Sequence, residues 1–413
     1  MKKVLFWDDM VLKNTGGPSG YCYNIHEYLK VNPCPQIDFL SDIIRSSECL
    51  QHNEIKEYKP LLPETKLKDF FKKTFVYKWM IELSEKIALL HYFLYGIYTK
   101  PFDFEIDIEL LNSYSFIHVH FLYDVLRIKN SFPNYKGKII LTSHCPCPWI
   151  DERISEGKQW MKVFHYWLIK NECKAYEKAD YLMFPCVDAR EPYEKNIMIE
   201  KVFRSMEQKF FYVPSAINDI AIDEVKMQHL SEIGIPEGSF VITYIGRHCE
   251  VKGYDILKRI APRLLDEFES LYFVCAGRGD IEPLYHPRWI ELGFIKNAEE
   301  IHYLSDLYVL PNRDTYFDLV ALEILRSKTV VVMSKTGGNK FFEKMPEDEI
   351  TGIHFFDIDN EEQLISIVAN LIELKKSNPL QYEAMCSNNR NLYLKKFTVR
   401  SFIINYIKSI NEL

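Results

Sequence analysis

The sequence lacks any CxxC pair and any Cys/His spacing of the zinc type: its ten cysteines stand singly at 22, 34, 49, 145, 147, 173, 186, 249, 275 and 386. That argues against a zinc ribbon or a CxxC redox centre and reads instead as buried, reduced thiols of a cytoplasmic protein. Long apolar runs are missing too. The most apolar stretch, IALLHYFLYGIY at 87–98, falls well short of the roughly 20 residues that cross a bilayer. The opening MKKVLFWDDM ends its apolar run at Asp8 and Asp9, so it reads as a first strand and not as an export signal. With a net charge of -7 there is no broadly basic composition, and nucleic acid is not an expected partner. No internal repeat or low-complexity tract is present.

What the chain does have is length and alternation. At roughly 150 residues per domain, its 413 residues make two or three domains with sizeable cores. β-branched and aromatic runs alternate with helical patterns, the mark of α/β architecture with parallel sheets. The first series of strand candidates is KVLFW, FIHVHF at 116–121, KIILTSH at 138–144 and DYLMFPC at 180–186. The second is SFVITYIG at 239–246, LYFVCAG at 271–277, LYVLP at 307–311 and TVVVMS at 329–334. Two doubly wound domains fit these series. Between them FYVPSAINDIAIDE at 211–224 breaks periodicity, which places a boundary near 215: domains are expected at 1–215 and 216–395.

Residues 60–105 differ from their surroundings and read as a helical insertion. KLKDFFKKTFVYKWM, residues 66–80, holds five lysines and five aromatics in fifteen positions. Two readings stand for it: contact with an anionic membrane surface or a lipid-linked acceptor, or lysine stems covering apolar surface of the same molecule.

Chemistry concentrates in three places. YIGRHCEVKGYDILKRI at 244–260 is a strand, a loop with Gly246, Arg247, Lys252 and Gly253, and the start of a helix that places Leu257, Ile260, Leu264 and Phe268 at helical spacing, with Pro262 a local misfit. Cations at the carboxyl end of a parallel strand, beside a helix start, suit a diphosphate; two solvated loop charges are the plain alternative. LPNRDTYFDLVALEILRSKTVVVMSKTGGNKFF at 310–342 ends a strand at Pro311, runs a polar and aromatic loop to Asp318, and begins a helix near Leu319 with Glu323 one turn inside. Helix-start amides suit a phosphate, and a carboxylate one turn in can accept from a ribose diol, while Asp318 can equally be an ordinary N-cap. Third, Gly16 and Gly17 follow the first strand and His144 ends another. His118 and His120 share a strand face, but two histidines without a third ligand do not make a metal site.

GRHCEVKG, followed some sixty residues later by PNRDTYFDLVALE, resembles the donor-binding domain of GT-B glycosyltransferases of the retaining family 4 type (glycosyltransferase group 1). The resemblance extends to TGGPSG at 15–20, TSHCP at the end of a first-domain strand, and VPSAIND at the entry to the second domain. It implies two Rossmann-like domains facing a central cleft, with 396–413 crossing back to the first. It assigns Arg247 and Lys252 to the nucleotide diphosphate, Glu323 to the ribose, His144 to the sugar, and Gly16 and Gly17 to close backbone access at donor or acceptor. Tyr316, Phe317, Leu319 and Val320 line the donor loop, and the strand-loop ELGFIKN at 291–297, with Phe294, meets the base. The family's Glu-x7-Glu motif keeps only its second member: the first falls on Thr315, with Asp314 beside it, and the family's glycine before the helix is Asp318. Asp314 or Asp318 is the expected replacement carboxylate. Gly337 and Gly338 match a later glycine pair that admits backbone close to ligand.

The function so implied is transfer of a hexose, with retention, from a nucleotide-sugar (a UDP-sugar slightly favoured) to a glycan or lipid-linked acceptor in bacterial surface polysaccharide synthesis. Neither cofactor nor metal is expected, and the location is cytoplasmic or at the inner face of the membrane. The substituted motif keeps a second reading open, a catalytically silent nucleotide-sugar-binding subunit that scaffolds a partner transferase. An epimerase of the same shape ranks below both.

Overall fold

Each run singled out above for its β-branched and aromatic content forms a strand in the computed structural model, which describes all residues except 11, 14–16, 49–101, 103, 156–157, 221–229 and 296–297. The first six strands are β1 (Val4–Trp7), β2 (Ile37–Phe39), β3 (Phe116–Val119), β4 (Lys138–Leu141), β5 (Tyr181–Phe184) and β6 (Phe210–Tyr212), in the order β2-β1-β3-β4-β5-β6. The second six are β7 (Phe240–Ile245), β8 (Leu271–Ala276), β9 (Trp289–Glu291), β10 (Leu307–Leu310), β11 (Val330–Ser334) and β12 (Ile353–Phe356), in the order β12-β11-β10-β7-β8-β9. Neighbours in the second sheet pair in parallel throughout. The expected α/β class with two doubly wound sheets is therefore the observed one.

Four strands were not among those expected from the sequence: β2, β6, β9 and β12, although FFY of β6 and IHFF of β12 are short aromatic runs. They are the two edges of each sheet. An edge strand is covered on fewer sides, so it needs no continuous apolar run; IDF and WIE, partly exposed, are the result.

The described residues form two compact units, one within Met1–Asp9, Pro35–Thr142 and Phe164–Leu182, the other within Met10–Cys34, Ser143–Val163 and Met183–Leu413. In the first, His118 and His120 are fully buried, with ring centroids 4.4 Å apart and each about 5 Å from Phe6. His118 Nε2 lies 2.8 Å from the Thr142 hydroxyl. The pair is part of the packed core, with His118 in β3 and His120 one residue past its end.

In the second unit, the helix Tyr254–Glu267 buries Ile256, Leu257, Ile260 and Leu264 against the sheet, each such side chain stabilising by about 1.5–3 kcal/mol. It runs unbroken through Pro262, the one misfit in the helical pattern of its sequence. Pro262 lies on the exposed face, where water can hydrate the carbonyl that loses its bond. The last helix, Val399–Glu412, packs against the helix Gly17–Val31, with the Phe402 and Tyr21 rings 5.6 Å apart. Nearly all of the insertion expected at 60–105, including 66–80, lies outside the described residues, as does Gly16. Among the described residues no helix is long and apolar enough to cross a membrane.

Candidate functional site

In the second sheet the chain turns one way from β7 to β8 and β9, and the other way through β10, β11 and β12. A crevice forms where such a sheet reverses, outside the carboxyl ends of its strands. The loops after β7, β8 and β10 meet there around a cavity of about 920 Å³.

After β7, the Tyr244 hydroxyl donates to the Arg247 carbonyl at 2.8 Å and fixes the loop. Arg247 reaches the cavity, its side chain 42% exposed, and donates to Glu152 Oε1 at 3.0 Å. Lys252 donates to Asp318 Oδ1 at 2.8 Å. After β8 comes Gly277, whose φ of +146 and contact with the Gly246 carbonyl, 1.8 Å from where a Cβ would stand, admit no side chain. Its backbone amide donates to the Gly293 carbonyl. This close approach aims the next residue, Arg278, into the cavity, with its guanidinium 5.9 Å from the centre of the Phe294 ring. Phe294 is 62% exposed, an aromatic face open to a ligand.

After β10 the loop carries Tyr316, Phe317 and Asp318 along the cavity and enters the helix Leu319–Arg326. Asp318 stands at the N-cap position but its carboxylate makes no capping bond. The N-cap reading of this residue is thereby corrected: the side chain is held by Lys252 and by the Asn312 amide. Leu319, Val320 and Glu323 line the same wall. Glu323 Oε2 lies 3.2 Å from Nε2 of the buried His302. Burial alone pushes this carboxyl up, yet the His302 hydrogen bond, with the charges of His302 and Arg326, holds it below the usual range and keeps it ionised.

Gly17, Tyr21 and His144 form another part of the lining. His144 has φ +61, a left-handed conformation uncommon for a side-chain-bearing residue, and its ring lies 4.6 Å from Tyr21 and 6.2 Å from Tyr316. Burial pushes its pKa down to about 3, so it faces the cavity as a neutral imidazole. Unfolded, the same histidine takes up a proton near 6.5; as pH falls from there towards 3 the unfolded state is favoured. Urea midpoints from pH 8 to 4 should fall more steeply for the parent than for His144→Gln. Parallel curves would contradict the burial assigned to His144.

Eleven residues expected from the sequence thus share one cavity: Gly17, His144, Arg247, Lys252, Phe294, Tyr316, Phe317, Asp318, Leu319, Val320 and Glu323. Two do not line it. Asp314 forms an ion pair with Lys195, and Thr315 is fully buried with its hydroxyl unpartnered. Gly337 and Gly338 also differ from expectation. A Cβ at either would lie 2.1 or 2.0 Å from the carbonyl of Thr315 or Tyr316, so the space they clear is filled by the loop after β10. Glu152, Arg278 and His302 were not found in the sequence. Arg278 had a findable signal, since AGRG follows β8 as IGRH follows β7; Glu152 and His302 sit on ordinary helices with none.

With that geometry the family comparison agrees. The fold is that of GT-B glycosyltransferases, and residues 239–374, which contain β7 to β12, match the model of the family described as Glycosyl transferases group 1. Among relatives, an uncharacterized glycosyltransferase of Methanocaldococcus jannaschii is 28% identical over 153 residues, 33% of this chain and 39% of that protein. The glycogen synthase of Clostridium kluyveri is 26% identical over 194 residues, 43% of this chain and 41% of that one. The matches therefore span about two fifths of those relatives. Solved structures of similar fold include Anabaena HepE with UDP (TM-score 0.59, 11% identity, 100% of both chains covered). Another is the sucrose-phosphate synthase of Thermosynechococcus elongatus (TM-score 0.60, 13% identity, 100% and 99% covered).

Proposed function

We propose that this chain is a glycosyltransferase that moves a hexose from a nucleotide-sugar to a glycan or lipid-linked acceptor, with retention of anomeric configuration and without a metal ion. The observation that carries the reading is the convergence of Arg247, Lys252, the first amides of Leu319–Arg326 and Glu323 on one cavity. The cations and amides suit a diphosphate, the ionised Glu323 a ribose diol, and the exposed Phe294 a base. That HepE has been solved with UDP and with UDP-glucose agrees with a uridine donor.

In the proposed reaction the bond from the anomeric carbon to the diphosphate oxygen breaks and the acceptor oxygen takes its place on the same face. The acceptor proton passes to the departing phosphate, whose charge is stabilised by Arg247, Lys252 and the helix-start amides. No protein base is needed, and the neutral His144 serves as a hydrogen-bonding group beside the sugar. The nine described cysteines form no disulfide with one another, which fits a reducing compartment and a cytoplasmic role in surface polysaccharide synthesis. An anionic membrane surface, met through 66–80, belongs to the same proposal.

The test is transfer from UDP-glucose to a panel of glycan and lipid-linked acceptors in the presence of a chelator, with the product anomer read by NMR. An α-linked product formed despite the chelator is expected. A β-linked product, or a requirement for divalent metal, contradicts the mechanism. Donor binding without transfer to any acceptor supports the silent-subunit alternative that the altered motif raises.

A further inference from the structure

Asp318 places a carboxylate in the cavity wall at the start of a helix, where only amides would serve a phosphate. Resting on the donor reading of this cavity, we infer that Asp318 is a specificity-determining residue that receives hydroxyl groups of the donor's sugar, and that Asp314 has no such role.

The placement of the two aspartates decides between them. Asp314 is engaged by Lys195 and does not line the cavity; Asp318 does line it, its side chain 18% exposed. The Asp318 carboxylate is also fixed in place. One oxygen accepts from Lys252 at 2.8 Å and the other from the Asn312 amide. Asn312 is itself fully buried, with its backbone carbonyl accepting from the hydroxyls of Ser334 at 2.6 Å and Thr336 at 2.8 Å. A carboxylate so braced has about two of its four acceptor positions left over.

Those positions restrict the chemistry they face. An ionised carboxylate only accepts, and a phosphate oxygen also accepts, so Asp318 cannot pair with the diphosphate directly. What it can receive is a cation or an uncharged donor, and of the groups that a nucleotide-sugar holds beside its phosphates the sugar hydroxyls are such donors. The Lys252 ammonium has three donors and spends one on Asp318; the others can reach phosphate. One lysine thus joins the carboxylate that reads the sugar to the charge that leaves with the nucleotide.

The test compares UDP with UDP-glucose, and GDP with GDP-mannose, by calorimetric titration of the full chain and of Asp318→Asn, which keeps the size of the side chain. The readout is the affinity gained from the sugar, the ratio of the two dissociation constants within each pair. The variant should lose about tenfold or more of that gain, as the loss of a hydrogen bond to a charged group implies. The free diphosphate should bind at least as tightly as to the parent, because a negative charge beside it has gone; this binding also reports that the variant is folded. An unchanged ratio overturns the inference and leaves the donor reading standing, since Asp318 would then be only an internal partner of Lys252. A parent that binds none of these four, nor the thymidine and cytidine pairs titrated in the same way, overturns both.

Discussion

Lys252→Ala should lower turnover by about two to three orders of magnitude, the usual cost of removing one group that stabilises charge developing in a transition state. The ammonium is the inner of the two cations assigned to the leaving diphosphate, with a side chain 19% exposed against 42% for Arg247. Less water around it means less screening of its charge. Its removal acts twice, because Asp318 is then left facing the phosphate with only Asn312 to hold it. Arg247→Ala should cost less: the guanidinium is more open to solvent and already shared with Glu152. The fold should persist in both variants, since the packing of Leu257, Ile260 and Leu264 beneath the loop is untouched. Steady-state kinetics beside a thermal melt would check this. Near-normal turnover in both variants contradicts the assignment of the diphosphate to these loops.

Glu323→Ala should raise the dissociation constant of the matching nucleoside diphosphate by about 10- to 100-fold, corresponding to loss of hydrogen bonds to a charged acceptor. The carboxylate is oriented by His302 behind it and kept ionised by His302 and Arg326. It stands one turn inside the helix Leu319–Arg326, whose first amides are proposed to receive the phosphate. Glu323→Gln, which keeps one acceptor oxygen, should fall between the two. Titration with the free nucleotide gives the values directly, and an unchanged constant in the alanine variant would remove Glu323 from the ribose site.

How much of this could be read beforehand depends on what each residue is for. The central strands were legible because a strand covered on both faces must be apolar along its length, as VVVMS of β11 is. The four edge strands were not, for they escape that requirement. Residues at strand ends and helix starts were legible to this extent: Arg247, Lys252, Asp318 and Glu323, singled out through the family resemblance, line one cavity. Their partners were a different matter. That Arg247 pairs with Glu152, 95 residues away, and Asp314 with Lys195, depends on tertiary approach that no local pattern encodes. The glycine pair at 337 and 338 shows the limit from the other side. Its need for space was correctly read, but the occupant of that space is the chain's own loop.

Binding of a nucleotide-sugar in this cavity, as proposed, is tested most directly by thermal stabilisation. The full chain would be melted with UDP, GDP, TDP and CMP, each free and as a sugar conjugate. A ligand at 100 times its dissociation constant adds about 2.7 kcal/mol to the folded state, an easily measured rise in melting temperature. One nucleotide series should raise it in a saturable way, the uridine series being the expected one. No rise with any of the eight ligands at millimolar concentration would contradict the claim.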